Sequence, residues 1–281
     1  MKQNVGRVVL AQRDRQKQRE YKMKEMFLYL LKSKLAVFLF GFLLLTPSVA
    51  GDRALLDVIG YSTDKRYFAF EEFGIQDGSG FAYSSIYIID LKDDAWVIGT
   101  PIRVISDDLD EPIDFAKSLN DVRLLVRQKA QQRLDGLSII WPAHLLAQIG
   151  DGAIDEDGLV KDGLALKFGV LGYGFDSIIA EYEMSLEIYE THSATSCMEY
   201  FDKEPMGFLI DIKEMDKITR VYEDGALARS RACPITYKIN SVYMPFEASD
   251  ISSAVAIISV YSYGYEGPDR RFVAVPIGNK N

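Results

Sequence analysis

Beyond residue 50, short runs of alternating apolar and polar residues are separated by segments rich in Gly, Asp, Ser and Pro. Alternation with a period of two puts successive side chains on opposite faces of a strand, so each run predicts a half-buried strand. The first runs cover residues 54–62, 66–73, 85–90, 96–98 and 102–105. Strands this short, joined by turn-forming segments, predict an antiparallel meander.

The strand pattern resumes in the second half of the chain. Further strands are predicted at residues 164–168, 177–189, 207–213, 218–222, 235–245, 254–261 and 271–276. The segment 177–189 alternates over its whole length and collects acidic residues on its polar side. The predicted fold is mainly β with an inserted helical segment (α+β), its antiparallel meander sheets arranged as a sandwich or a partial propeller-like structure. A single β-rich domain is expected over residues 51–281.

A helical segment interrupts the strands. Between residues 110 and 134, apolar residues recur at three- and four-residue spacing, which predicts an amphipathic helix. Residues 142–149 predict a short second helix, so the helical insertion covers about 108–149. The polar face of the first helix carries Lys117, Arg123, Arg127, Lys129 and Arg133. We expect these charges to stay solvated or to pair with the acidic body, the alternative being an anionic partner or a membrane surface.

Charge is distributed unevenly along the chain. The sequence has 32 Lys and Arg against 41 Asp and Glu, a net charge of −9 that argues against a nucleic-acid binder. Residues 1–50 nevertheless hold ten Lys or Arg and only three acids. The basic stretch leads into an apolar run at 35–45, followed by small residues up to Ala50. This order predicts a secretory signal peptide cleaved between Ala50 and Gly51, and hence a periplasmic or secreted protein.

Two features of the leader leave alternatives open. The apolar run of 11 residues is shorter than the roughly 20 needed to span a bilayer, but an uncleaved inner-membrane anchor at 35–45 is the rival to cleavage. The basic lead is also long for a signal peptide. Translation from Met23 or Met26 gives a signal of ordinary length, whereas translation from Met1 gives an extended cytoplasmic leader.

The chain contains two cysteines, Cys197 and Cys233. In an oxidising compartment two thiols of one chain usually pair, and closing this loop stabilises the fold by roughly 4 kcal/mol in the chain-entropy model. The rival hypothesis is a Cys–His nucleophile, because His192 lies five residues before Cys197. We predict the disulfide.

The chain lacks a G-x-S-x-G elbow, an H-E-x-x-H helix motif and a phosphate-binding loop. The acidic segment 151–163 fails the EF-hand pattern, since Ala153 and Leu164 stand where calcium ligands are needed. We therefore expect no catalytic residue, metal or cofactor, and a small ligand or an envelope protein as partner. Membrane contact is expected only through the segment 35–45. Polar turns between strands present the candidate binding residues Asp77, Glu266, Asp269 and Arg270.

An enzyme remains the alternative. A periplasmic hydrolase needs two carboxyl groups that converge in a pocket, one of them with a raised pKa. The candidates are Glu71, Asp77, Glu266 and Asp269. Glu71 and Glu72 themselves cannot act as a pair, because neighbours on a strand point to opposite faces.

Two parts of the mature chain resemble a known family. Residues 60–74, 77–81 and 86–90 near its start, and 233–239 and 263–276 near its end, are similar to an uncharacterised family of predicted secreted bacterial proteins, DUF2259. The resemblance implies export. Because that family has no established activity, it implies no catalytic residues. Residues 62–70 are separately similar to a strand of periplasmic propeller repeats, without a clear second copy.

Overall fold

The computed structural model describes residues 51–106, 115–149, 163–172, 177–264 and 267–278. They belong to a compact unit that spans residues 49–281. The predicted signal peptide, its apolar run and the acidic segment 151–162 lie outside the described residues.

Sheet I is built from the first half of the chain. Its strands are β1 (Leu55–Ser62), β2 (Tyr67–Ile75), β3 (Ala82–Asp90), β4 (Ala95–Trp96), β5 (Ile102–Ile105) and β6 (Ile139–Trp141). The order is β4-β3-β2-β1-β6, and β5 also pairs with β3. Antiparallel pairing of β1 to β4 in chain order confirms the predicted meander.

Two four-stranded antiparallel sheets follow. Sheet II has the order β14-β13-β12-β7 and sheet III the order β11-β10-β9-β8. The strands of sheet II are β7 (Ala143–Gln148), β12 (Pro234–Pro245), β13 (Val255–Ser262) and β14 (Asp269–Pro276). Those of sheet III are β8 (Ala165–Leu171), β9 (Ile178–Glu190), β10 (Met206–Glu214) and β11 (Lys217–Glu223).

Sheet II lies between the other two sheets. On one side Ile258 and Val260 of β13 join a core with Phe208 and Ile210 of sheet III. On the other side Ile257 joins a core shared with sheet I. A sheet covered on both faces needs apolar residues at consecutive positions, and β13 is buried at its first seven residues. The sandwich prediction is thus confirmed, with three layers.

Helix α1 (Phe115–Gly136) covers the outer face of sheet I. Its apolar stripe packs against that face through Val122, Val126, Ala130 and Leu134. The second predicted helix, at 142–149, is wrong. This segment is strand β7, because pairing with β12 outweighs the helix preference of its Ala and Leu residues. Pro142 stands where the chain passes from β6 in sheet I to β7 in sheet II.

The basic face of α1 holds the helix to sheet I. Glu71 on β2 lies directly opposite Asp57 on β1, a placement that is unfavourable for two like charges. Arg123 and Arg127, one helical turn apart, each donate hydrogen bonds to both carboxylates. Ser84 also donates to Glu71, at 2.8 Å. Pairing with the acidic body, one of the two expectations for the basic face, is therefore correct at these two arginines.

The environment of the buried Glu71 carboxyl group favours its ionised form. Burial alone raises the pKa of a carboxyl group, but the hydrogen bonds from Arg123, Ser84 and Arg127 outweigh burial and lower the pKa of Glu71. Since its side chain is 0% exposed, whereas Asp57 is 47% exposed, most of the cost of breaking this cluster falls on Glu71.

We predict that Glu71→Gln lowers the free energy of unfolding by about 2–3 kcal/mol, because four guanidinium hydrogen bonds lose their charged acceptor. Urea unfolding at pH 7 measures the loss. The matched control Asp57→Asn, at a half-exposed position, should cost less than about 1 kcal/mol. The lowered folded-state pKa means that the contribution of Glu71 exists above its unfolded pKa and disappears as the pH falls through the folded pKa. Equal losses in the two variants would contradict this assignment.

Candidate functional site: a cleft along the edge of strand β14

A cavity of about 600 Å³ opens beside β14, the edge strand of sheet II. We call it the β14 cleft. One wall is the inner face of sheet I, with Glu72, Tyr87 and Trp96. The other wall consists of Tyr222 at the end of β11 and the turn at residues 228–232. Side chains and backbone of β14 form the floor between the walls.

The edge of β14 faces the cleft in a regular pattern. In an antiparallel pair, alternate residues direct both backbone groups away from the partner strand. Ile277 directly follows β14 and donates its N–H to the Ala254 carbonyl, next to β13. The odd-numbered residues of β14 therefore direct their backbone N–H and C=O groups toward β13, and the even-numbered residues direct theirs toward the open edge. Arg270 points outward, because it donates to Asp52 O at 2.8 Å. Phe272 also points outward and donates to the Glu72 carboxylate at 2.9 Å. Glu72 thus occupies the place of a neighbouring strand.

A first polar network joins the floor to sheet I. Arg271 donates to the Asp52 carboxylate at 2.5 Å and to the Tyr83 hydroxyl at 2.7 Å. Tyr83 in turn donates to Asp52 at 3.1 Å. The Arg271 Nε lies 3.7 Å from Glu72. The network therefore ties the segment before β1 to both β3 and β14.

Glu72 is the least compensated charge in this network. Its side chain is buried, and burial raises its pKa to about 7, against the lowering effects of Arg271 and the Phe272 N–H. Burial likewise raises the pKa of Asp269, although the Asp52 N–H donates to it. The cleft thus holds a carboxyl group that changes protonation near neutral pH.

A second polar network stands on the opposite wall. Asp224 accepts hydrogen bonds from the Tyr222 hydroxyl at 2.6 Å and from the Phe208 N–H at 3.1 Å. Arg231 lies 3.4 Å from Asp224 and packs over the rings of Phe208 and Tyr237. Its Nη1 atom is buried without a hydrogen-bond partner in the described part of the chain. Such an atom carries an unpaid desolvation cost, which a ligand or water can remove.

The disulfide fixes the turn that carries Arg231. Cys197 and Cys233 are bonded, as predicted, which excludes the Cys–His nucleophile. Cys197 begins the short helix α2 (Cys197–Phe201), and Cys233 directly follows the turn. Between them Ala232 has φ 54° and ψ −133°, a backbone conformation that only Gly adopts without strain. The crosslink thus holds this strained corner at the rim of the cleft.

Aromatic rings surround the mouth of the cleft. Phe201 of α2 stacks on Tyr263, which also lines the cavity, with ring centroids 4.3 Å apart. Trp96 on the far side is 42% exposed and contacts Tyr87 edge-on. Exposed rings beside buried charges provide both apolar contact and orientation for a bound molecule.

The candidate binding residues lie in different places. Asp269 lines the cleft. Asp77 lies in the exposed turn between β2 and β3, and its charge is near enough to raise the pKa of Asp269. Arg270 does not line the cleft: its buried guanidinium donates to Ala54 O at 2.6 Å. Glu266 lies outside the described residues. Arg271 and Glu72 also line the cleft, but the sequence pattern did not single them out as binding residues. Strand alternation offers the signal that finds Arg271, since Asp269 and Arg271 share one face.

The four hydrolase candidates do not come together as a set. Glu71 faces α1, whereas Asp269 lies in the cleft on the other side of sheet I. The prediction that Glu71 and Glu72 point to opposite faces is confirmed. Across the described ranges, no three His, Cys, Asp or Glu side chains are placed to hold a metal ion. No helix in this part of the chain combines the length and apolarity needed to cross a membrane.

Fold and site together define a class: a disulfide-bonded protein of three stacked antiparallel sheets with a polar cleft along one sheet edge. Residues 69–278 match the model of a family described as predicted secreted protein, DUF2259. The chain belongs to this family, which confirms the resemblance seen at residues 60–74 and 263–276. No curated protein and no solved structure matches the chain.

We predict that the stability difference between the wild type and Glu72→Gln depends on pH. A carboxyl group with a pKa of about 7 when folded and 4.5 when unfolded keeps its proton only in the folded state between these values. The wild type should therefore lose about 3 kcal/mol relative to the variant as the pH rises from 4.5 to 8. Urea unfolding at both pH values gives the difference.

The matched control for this measurement is Glu187→Gln, on the exposed face of β9. Its stability relative to the wild type should change little over the same pH range. A wild-type-to-Glu72→Gln difference that is identical at pH 4.5 and pH 8 would show that Glu72 ionises normally in the folded protein.

Proposed function

We propose that this protein is an exported, non-catalytic binding protein that takes a small ligand in the β14 cleft. The observation that carries the proposal is the pair of buried polar networks on opposite walls of one cavity, centred on Arg271 and Arg231. Buried ionic groups cost stability unless they are fully satisfied. Their placement around an open cavity, with aromatic rings at its mouth, is typical of a ligand site.

Export rests on three features that agree. The family is described as secreted, the N-terminal sequence has the order of a signal peptide, and the two cysteines form a disulfide. Cleavage between Ala50 and Gly51 releases the protein into the periplasm or the medium. Retention of the segment 35–45 instead leaves it anchored at the inner membrane, with the same cleft. An envelope protein is the alternative occupant to a small ligand.

Binding without catalysis follows from how the carboxyl groups are engaged. Asp52 is held by Arg271 and Tyr83, and Asp269 by the Asp52 N–H. Glu72 accepts the Phe272 N–H, and burial raises its pKa to about 7. A hydrolase needs a second carboxyl group or nucleophile free to act beside it.

We predict that protein isolated from the exported fraction carries a ligand in this cleft. Native mass spectrometry before and after unfolding should show an additional mass that unfolding releases. Ser230→Trp, which places a large ring at the cleft wall, should abolish the additional mass. The matched control Ser185→Trp lies on the exposed face of β9 and should retain it.

Circular dichroism and the melting temperature of both variants check that they fold. Wild-type protein without an additional mass, or equal retention by the two variants, would contradict the proposal. The same spectra report the mature N-terminus, so a mass that begins at Gly51 tests the predicted cleavage independently of the ligand.

A further inference from the structure

We propose that the ligand of the β14 cleft is a short extended peptide, which pairs through its main chain with the open edge of β14. This inference rests on the proposed binding function and adds the chemical class of the ligand. It depends on three observations: the backbone groups that β14 directs into the cleft, the strand already paired with the adjoining part of that edge, and the dimensions and lining of the cavity.

The free backbone groups follow from the alternation along β14. The register of β14 with β13 is continuous. Ala274 therefore directs its backbone N–H and C=O toward the open edge, as Arg270 and Phe272 do. Glu72 occupies the Phe272 N–H, and Pro276 has no N–H to offer. The cleft side of β14 therefore presents the Phe272 carbonyl and both the N–H and the carbonyl of Ala274, and both residues line the cavity. Acceptor, donor and acceptor in this order match the backbone of a neighbouring strand.

The same edge already accepts a strand one step away. Arg53 and Arg270 form a parallel bridge, in which Arg270 donates to Asp52 O and Ala54 donates to Arg270 O at 3.2 Å. After Ala54 the chain turns into β1 of sheet I. This segment therefore stops running beside β14 where the cleft begins, and the position next to the following part of the β14 edge is open to the cleft. A bound peptide continues it, which is strand addition to a sheet edge.

The cavity has the length and lining for such a ligand. Trp96 pairs with Ile89 at one end of the sheet I wall, and Tyr83 contacts Arg271 at the other. Ile89 lies six positions after Tyr83 on β3, a distance of about 20 Å at strand spacing. An extended peptide of about four residues is roughly 13 Å long and fits within this length. The side chains of such a peptide would contact the aromatic rings and the acidic and basic groups that line the cleft. A site for a simple anion would instead need arginines without acidic groups beside them.

The test uses the folded wild-type protein and an equimolar library of tetrapeptides with acetylated and amidated ends. Affinity selection by native mass spectrometry should retain a subset of the library. Isothermal titration then measures the best tetrapeptide and its N-methylated series. Methylation of the peptide nitrogen that donates to the Ala274 carbonyl removes a donor and adds bulk, and should weaken binding at least tenfold. Methylation at a residue whose N–H points away from β14 should change it less than about threefold.

Two protein variants locate the peptide. Ser230→Trp should abolish binding and Ser185→Trp should preserve it. Ala274→Pro removes the N–H that points into the cleft, at an edge position equivalent to Pro276, and should weaken binding about tenfold. The N-methyl series decides the matter with wild-type protein if this variant does not fold.

The outcomes separate the two proposals. No retained tetrapeptide, equal affinity across the N-methyl series, or binding that Ser230→Trp leaves intact would each overturn the peptide assignment. A non-peptide mass that the wild type carries and Ser230→Trp loses would leave the cleft as a binding site, with a saccharide or an organic anion as its ligand. Absence of any ligand in that experiment would instead remove the binding function itself.

Discussion

Because side chains alternate along β2, its neighbouring carboxyl groups Glu71 and Glu72 lie on opposite faces of sheet I and make different contacts. Glu71 turns outward and binds the two arginines that hold α1, whereas Glu72 turns inward and accepts the edge N–H of β14. Each is buried, and each needs a partner from a distant part of the chain, since an uncompensated buried charge is costly. The helix layer, sheet I and the edge of sheet II are therefore placed relative to one another through a single strand.

Stacking of three sheets explains both the strength of the core and the position of the cleft. Sheet II is covered on both faces, so its strands contribute side chains to two cores at once. Sheets I and III pack on the faces of sheet II, so this packing leaves its edge strand β14 uncovered. Along β14 the edge is protected piece by piece, by the segment at Asp52, by Glu72 and by Pro276. The part of the β14 edge that these groups do not cover lies between sheets I and III and forms the floor of the cleft.

The two cleft walls are held by different means. Sheet I is held by continuous pairing of β2 with β3 over nine residue pairs. The opposite wall ends in an irregular turn, and the disulfide between Cys197 and Cys233 fixes it while Ala232 adopts a strained backbone conformation. Strain of this kind persists where the surrounding structure enforces it, commonly at functional sites. The crosslink thus serves the shape of the site as well as the stability of the fold.

By itself the sequence determined the strands of the meander, the first helix, the disulfide and the opposite orientation of Glu71 and Glu72, since all of these follow from local periodicity or from the expectation of export. It also named Asp269 as a candidate binding residue, and Asp269 lines the cleft. It misassigned residues 142–149, because pairing with β12 decides the state of that segment, and it chose Arg270 over Arg271. Only the tertiary structure brought Glu72, Arg271 and Arg231 around one cavity. Glu72 lies more than a hundred residues before the other two, which belong to a turn and to β14. Sheet packing, which no local pattern encodes, sets the distances between them.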